Sequence, residues 1–371
     1  MQNPKLGSGE QSARSSARNQ AGKPEEFETW TRHWSASAAS DVNDAGFVGL
    51  RFPAYSEPRF PSTDAAQRSD YEFCLQQLRQ SDYGNYLINL LHSSHDSRCA
   101  HASLFAFSVQ LARIKDAVTN EDMGRLRLSF FRDALQGIYD ADHAMARVHG
   151  PLQSPTLRAL RETIQRFSLP VEPFNLLLSA READLRYPQP ETVHELVKYA
   201  QAAHGSCIAL HARVLLATLE KPVEQEALAA IDLFATQIGT ASGLAVLLRG
   251  APHHAAKFQT YVPRDIMKAC NVSVKELVSQ KVSVSSNRKK AFQSVAEMAE
   301  EYLNRARRES AAWKCVPRAC RLAFLPAVLA SAYLRRLRSS GYDVYDRRLQ
   351  LPWTPGTQLR LLLNRMFGTL F

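Results

Sequence analysis

From Asp70 onward apolar positions recur at steps of three and four. In Ala100–Asp116 the residues Leu104, Phe107, Leu111 and Ile114 make one stripe, the mark of a helix with a buried face. Thr119 precedes Asn120-Glu121-Asp122, which places acids in the first turn of a second helix. That helix carries Leu126, Leu128, Phe130, Phe131, Leu135 and Ile138. A third helix is predicted over about 156–167. Pro173 can open the next, running to about Leu185. Pro188 and Pro190 mark a loop before one long helix from about Glu191 to Leu219.

Pro222 opens a further helix, and residues 227–248 are apolar nearly all round, with Gly239, Ala241, Ser242 and Gly243 in the middle. Such a helix belongs at the centre of a helical protein, where small residues let backbones approach. With Asp232, Thr236 and Gln237 inside, it reads as a core helix and not a membrane span. More helices fit about 273–281, 285–312, 322–338 and 357–367. Strand signals are scarce, and no repeat is present. The expected class is all-α.

Residues 1–68 show no lasting period. They are rich in Ser, Ala, Gly and Pro, with breaks at Pro53, Pro58 and Pro61. The expected division is a poorly ordered arm over 1–68, a helical domain over 69–350 and a C-terminal helical tail over 351–371. Trp30, Trp34, Phe47, Val48, Leu50 and Phe52 could dock the arm on the body. Its first 23 residues carry Lys5, Arg14, Arg18 and Lys23 against Glu10, and include several serines. That suits an organellar transit peptide; the scarcity of large apolar residues there suits a plain disordered tail equally.

Composition is that of a globular protein, 45% apolar and 22% charged. The net charge of +10 is uneven. Residues 285–371 hold sixteen Lys and Arg against six Asp and Glu, and the first 284 residues balance. Arg305, Arg307, Arg308, Arg335, Arg336 and Arg338 are the candidate partner-facing patch, suited to an acidic protein surface, anionic lipid or RNA. The alternative is a solvated helical face. No RNA-binding signature accompanies the charge.

The six cysteines are scattered without metal-ligand spacing, which reads as free thiols. His92-Ser-Ser-His95 and His253-His254 lack an acid or cysteine at ligand spacing and read as surface or loop histidines. No metal site and no cofactor is expected. There is no nucleophile elbow, P-loop or dinucleotide-binding glycine run.

Three separated segments, taken in order, resemble the squalene/phytoene synthase family. The first is Tyr86-Leu-Ile-Asn-Leu-Leu, then Arg98, then Ala102-Ser-Leu-Phe-Ala-Phe107. The second is Arg181-Glu-Ala-Asp184-Leu185 with Tyr199-Ala-Gln-Ala-Ala-His-Gly205. The third is Gly243-Leu-Ala-Val-Leu-Leu-Arg249 with Tyr261-Val-Pro263-Arg-Asp265. The resemblance implies an isoprenoid-synthase-like bundle with a central apolar cleft. It also implies, for active members, Mg²⁺ held by two aspartate-rich motifs while a diphosphate departs.

Where those motifs fall, this chain has Ala112-Arg-Ile-Lys-Asp116 and Gly250-Ala-Pro-His-His254. Only Asp116 is acidic. The expected remnant cleft positions are Arg98, Ala112, Asp116, Asp184, Tyr199, Arg249, Gly250, His254 and Tyr261. Asp184 is either such a cleft residue or a helix-end acid paired with Arg181 or Arg186.

Phe107-Ser-Val-Gln-Leu-Ala-Arg-Ile-Lys115-Asp116 and Gly239-Thr-Ala-Ser-Gly243 through Arg249-Gly-Ala-Pro252 resemble a non-catalytic branch, the mitochondrial complex I assembly factor 6 group. The resemblance implies a matrix-side protein without catalytic residues that works through protein partners in an assembly intermediate. Two alternatives stay open: a scaffold for a mitochondrial ribosome or other ribonucleoprotein, prompted by the basic C-terminal third, and a prenyl diphosphate transferase with an altered metal site.

Overall fold

The computed structural model describes residues 65–118, 120–140, 154–187, 189–220, 222–279, 285–350 and 353–370. The expectations for residues 1–64, including the transit peptide and the docking aromatics, lie outside the described residues. Among the described residues every regular element is helical. In chain order these are α1 (Ala65–Ser81), α2 (Tyr83–Asn89), α3 (His95–Ala117), α4 (Glu121–Tyr139), α5 (Pro155–Phe167) and α6 (Glu172–Arg186). Then come α7 (Val193–Ala200), a π-helical turn (Gln201–Gly205), α8 (Ser206–Leu216), α9 (Gln225–Arg249), α10 (Ala251–Ala255), α11 (Arg264–Ala269) and α12 (Val274–Val278). The chain closes with α13 (Ser286–Arg308), α14 (Ser310–Cys315), a 3₁₀ helix (Arg318–Phe324), α15 (Pro326–Ser339), α16 (Arg347–Gln350) and α17 (Pro355–Phe367).

Local chemistry sets these limits. Asn120 accepts from the Met123 amide at the start of α4, and Thr192 accepts from Glu195 at the start of α7. Ser273 and Glu276 form a capping box on α12. Proline occupies the first turn of α5, α6, α15 and α17, where its missing N–H costs nothing.

Helix α9 is the axis. Ile231, Phe234, Ile238, Ala241, Leu244 and Leu248 are buried on successive faces, against α7, α8, α13 and α15. Among the described helices it is the one long and apolar enough to cross a membrane, yet 72% of its apolar window is buried inside the protein. It is the core helix its small residues predicted. A second core surrounds α3, where Leu104, Phe107 and Leu111 pack with Leu128, Leu157, Leu160 and Phe174.

Three expectations change in detail. Helix α1 begins at Ala65, so helical structure starts before the expected boundary at residue 68. The single helix predicted from Glu191 to Leu219 is divided by the π turn at Gln201–Gly205. There α9 crosses so closely that a Cβ on Gly239 would lie 2.3 Å from the Gly205 Cα. The helix predicted over 285–312 breaks at Glu309. The expected tail is docked: Leu361 belongs to the main core, and the Trp313 indole and Arg321 guanidinium both donate to the Gly368 carbonyl.

Candidate functional site: a cleft with neutralised carboxylates

A cavity of about 300 Å³ opens between α3, α6, α9 and α15. Its floor is apolar and aromatic, with Phe105, Leu329, Tyr333 and Trp353. Its mouth is polar. Ala112, Asp116, Asp184, Tyr199, Arg249, Gly250, His254 and Tyr261 all line it. Residues some 150 positions apart in the chain are thus brought together.

Arg98 does not line it. Its guanidinium donates to the His92 carbonyl at 2.8 Å, and its own carbonyl accepts from Asn89. It braces the turn between α2 and α3.

The last turn of α3 delivers Lys115 inward and Asp116 toward the mouth. Lys115 Nζ lies 2.7 Å from Asp184 Oδ1 and 2.9 Å from the Tyr261 hydroxyl. Tyr261 donates to Asp184 at 2.7 Å, and the Tyr199 hydroxyl stands 3.3 Å from the other carboxylate oxygen. Arg181 donates to the Tyr199 hydroxyl at 2.6 Å. The two tyrosine rings stack, with centroids 5.8 Å apart. Burial pushes the Tyr199 and Tyr261 hydroxyls well above the ordinary tyrosine range, so both stay protonated donors. Asp184 lines the cavity. Its partner is Lys115, and Arg181 reaches it only through Tyr199.

Asp116 is held on the opposite side. Lys257 Nζ lies 2.6 Å from one carboxylate oxygen and His253 Nε2 3.2 Å from the other. Partial burial raises its pKa, but the hydrogen bonds from His253 and Lys257 outweigh that and hold the carboxyl well below the usual range. His254 turns the other way, with its ring 4.7 Å from Tyr261 and its Nε2 3.0 Å from where a Cβ on Gly250 would stand. Burial lowers its pKa to about 4, so it is neutral at pH 7. Arg249 lies over the Trp353 ring at 5.2 Å.

A magnesium–diphosphate site needs several carboxylate oxygens free to face the ion. Among the described residues three acidic side chains line the cavity: Asp116 and Asp184 are each bound to a cation of the chain, and Asp82 accepts from the Asn85 amide and side chain at the start of α2. Other lining positions carry Arg113, Arg181 and Arg249. What the arrangement can do is seat an apolar group beneath a rim of guanidinium and ammonium donors.

The basic residues of α13 and α15 form one surface. Arg307 and Arg335 both reach the Ser331 hydroxyl. Glu301 pairs with Arg305 and Arg308, and Glu300 pairs with Arg338. Arg336 donates to the Arg348 carbonyl. The acids of α13 therefore offset part of the charge.

Sequence reasoning missed Lys257 and His253 as partners of Asp116, because they come from a short helix and loop 137 and 141 residues away. It also placed His92 at the surface. His92 is 2% exposed and packs against His101 and His211. All six cysteines are free, as expected.

A helical bundle closed around an apolar cleft with a polar mouth is the isoprenoid-synthase architecture. The chain belongs to the squalene/phytoene synthase family, which it matches over residues 78–355. Solved structures agree on the fold. A dehydrosqualene synthase superposes with a TM-score of 0.64 at 19% identity, covering 81% of this chain and 97% of that one. A squalene synthase from Alicyclobacillus acidocaldarius gives 0.59 at 20% identity, covering 75% and 97%.

Among curated proteins the chain is similar to NADH dehydrogenase (ubiquinone) complex I, assembly factor 6. The Mus musculus protein is 27% identical, over 79% of this chain and 84% of its own length. The Drosophila melanogaster homolog is 28% identical, over 84% and 90%. The Dictyostelium discoideum homolog is 26% identical, over 83% and 80%.

Proposed function

We propose that this protein is a non-enzymatic assembly factor for respiratory complex I, acting in mitochondria on the matrix side. The names of its relatives supply the process. The observation that carries the non-catalytic reading is the state of two of the three carboxylates that line the cleft. Lys115 sits on Asp184 and Lys257 on Asp116, where an ionising synthase needs open oxygen ligands. A metal's stabilisation of developing charge is worth several kcal/mol, and about 1.4 kcal/mol is tenfold in rate. Without that ligand set, diphosphate departure slows by orders of magnitude. By the family resemblance Ala112, Gly250 and His254 take the places of motif acids, and His254 packs over Gly250.

The partner is a protein of the assembly intermediate. The face formed by α13 and α15 is its proposed contact, matched to an acidic surface. Depleting the protein from cells tests the process: mature complex I should fall on native gels, and re-expression should restore it. Normal complex I after full depletion would overturn the assembly role. Purified protein incubated with farnesyl or geranylgeranyl diphosphate and Mg²⁺ should release no diphosphate above background. Turnover would overturn the non-catalytic reading.

A further inference from the structure

Against Phe105, which lines the cleft, three imidazoles meet in the interior. His92 comes from the turn between α2 and α3, His101 from α3 and His211 from α8. Their exposures are 2%, 0% and 0%. Ring centroids are 5.0 Å apart for His92–His101 and His92–His211, and 4.6 Å for His101–His211. One nitrogen from each falls within 4.8 Å of the others. His92 Nε2, His101 Nε2 and both nitrogens of His211 have no hydrogen-bond partner. Unpaired buried polar groups are costly and rare in native interiors. One nitrogen from each ring lies near the other two, where a single shared partner would satisfy them.

The surroundings narrow what that partner is. Ser97 Oγ donates to the Ser94 carbonyl and lies 3.0 Å from His92 Nδ1, so the ring proton sits on Nδ1 and Nε2 offers its lone pair inward. On the far side Asn89 Nδ2 lies 3.2 Å from His101 Nδ1. The same Nδ2 donates to the Arg98 carbonyl at 2.8 Å, which fixes the amide with its nitrogen toward His101 and holds that ring in place. The Ser97 contact is of the kind that orients a metal-binding imidazole. Phe105 stacks on His101 at 4.4 Å and closes the other side.

Burial keeps all three rings neutral, with His92 lowered to about 2 and His211 to about 3, so no proton has to leave before ligation. Beyond Ser93 and Ser94, both exposed, solvent is one turn from His92.

The geometry points to a buried three-imidazole site for a single transition-metal ion of low charge, copper(I) in preference to zinc(II). Imidazole donors suit both metals. Among the described residues no carboxylate or thiolate joins the cluster to offset charge. Arg98 and Arg365 stand close by, on the His92 and Leu91 carbonyls. The cost of burying an ion grows with the square of its charge, so a univalent ion is held at roughly a quarter of the cost of a divalent one. Copper(I) also accepts three ligands, where zinc seeks a fourth. Bonds of about 2.0 Å in a trigonal plane put the nitrogens about 3.5 Å apart, so the rings draw in by about an ångström on binding.

The test uses purified full-length protein stripped of metal. Under anaerobic conditions copper(I) is titrated against bicinchoninate, and zinc(II) against a chelating dye. One equivalent of copper should be retained. X-ray absorption should show nitrogen neighbours at about 2.0 Å and no sulfur. His92→Gln and His211→Phe should each weaken retention more than about a hundredfold, since even outer partners of a ligand are worth 10–100-fold. Ser97→Ala keeps all three ligands and should weaken it about tenfold, which covers the case where a ligand variant does not fold. No copper retention would overturn the proposal. So would sulfur neighbours, retention unchanged in the foldable variants, or tighter binding of zinc.

Discussion

Lys115 and Asp184 are 15% and 7% exposed, and each is the other's charge partner inside the mouth. Removing one member of such a pair leaves a buried charge, at about 3–5 kcal/mol. Lys115→Met should therefore destabilise the fold by about 3 kcal/mol in urea denaturation. Adding Asp184→Asn should recover a large part of that, because the amide needs no counter-charge. An equal loss in both would remove the ion pair from the account.

The histidine triad makes a second residue-scale prediction. Burial and mutual repulsion lower the pKa of His92 and His101, and burial alone lowers that of His211. Below the ordinary histidine value the unfolded chain then binds more protons than the folded one. Stability is full above about pH 6.5 and falls as the medium is acidified. Well below that, each histidine adds about 1.4 kcal/mol per pH unit to the slope. Metal-free His211→Phe should show a shallower fall between pH 6.5 and 5 in thermal melts. A slope identical to the parent would contradict the neutral assignment.

Most long elements were legible because a helix with one buried stripe repeats every three or four residues. Helices α5 and α6 begin and end within a residue of expectation, while α3, whose stripe is read from Ala100, begins five residues earlier at His95. Short helices α2, α10, α11 and α16 carry too few turns for a period to show. The π turn was invisible for another reason. Its cause lies on α9, where Gly239 meets Gly205 backbone to backbone. Only the pair explains it, and the two glycines are 34 positions apart. Gly239→Ala sets a methyl against main chain that cannot swing away, so it should cost about 3 kcal/mol, the upper end for an overpacked core. Loss of soluble yield or a large drop in melting temperature checks this. A variant as stable as the parent would mean the crossing is looser than described.

At the scale of the whole molecule, the cleft residues were findable by family resemblance, but their state was not. The sequence shows Lys115 beside Asp116 and cannot show that one turns in to Asp184 while the other faces Lys257. Partners chosen across 69 and 141 residues depend on how helices cross. The charge count, likewise, showed the basic excess without its arrangement on α13 and α15. Reversing Arg305, Arg307 and Arg308 to Glu should change stability little, since exposed pairs are worth about 0–1 kcal/mol. It should nevertheless abolish rescue of complex I in depleted cells. Rescue at the parental level would move the contact elsewhere. The two lysine pairs have a consequence for what the cavity can take in. Lys115 cannot leave Asp184 without stranding a buried charge, whereas Lys257 and Asp116, both more than a quarter exposed, can part at little cost. An incoming anion would therefore draw on the outer ammonium first and leave the inner pair standing.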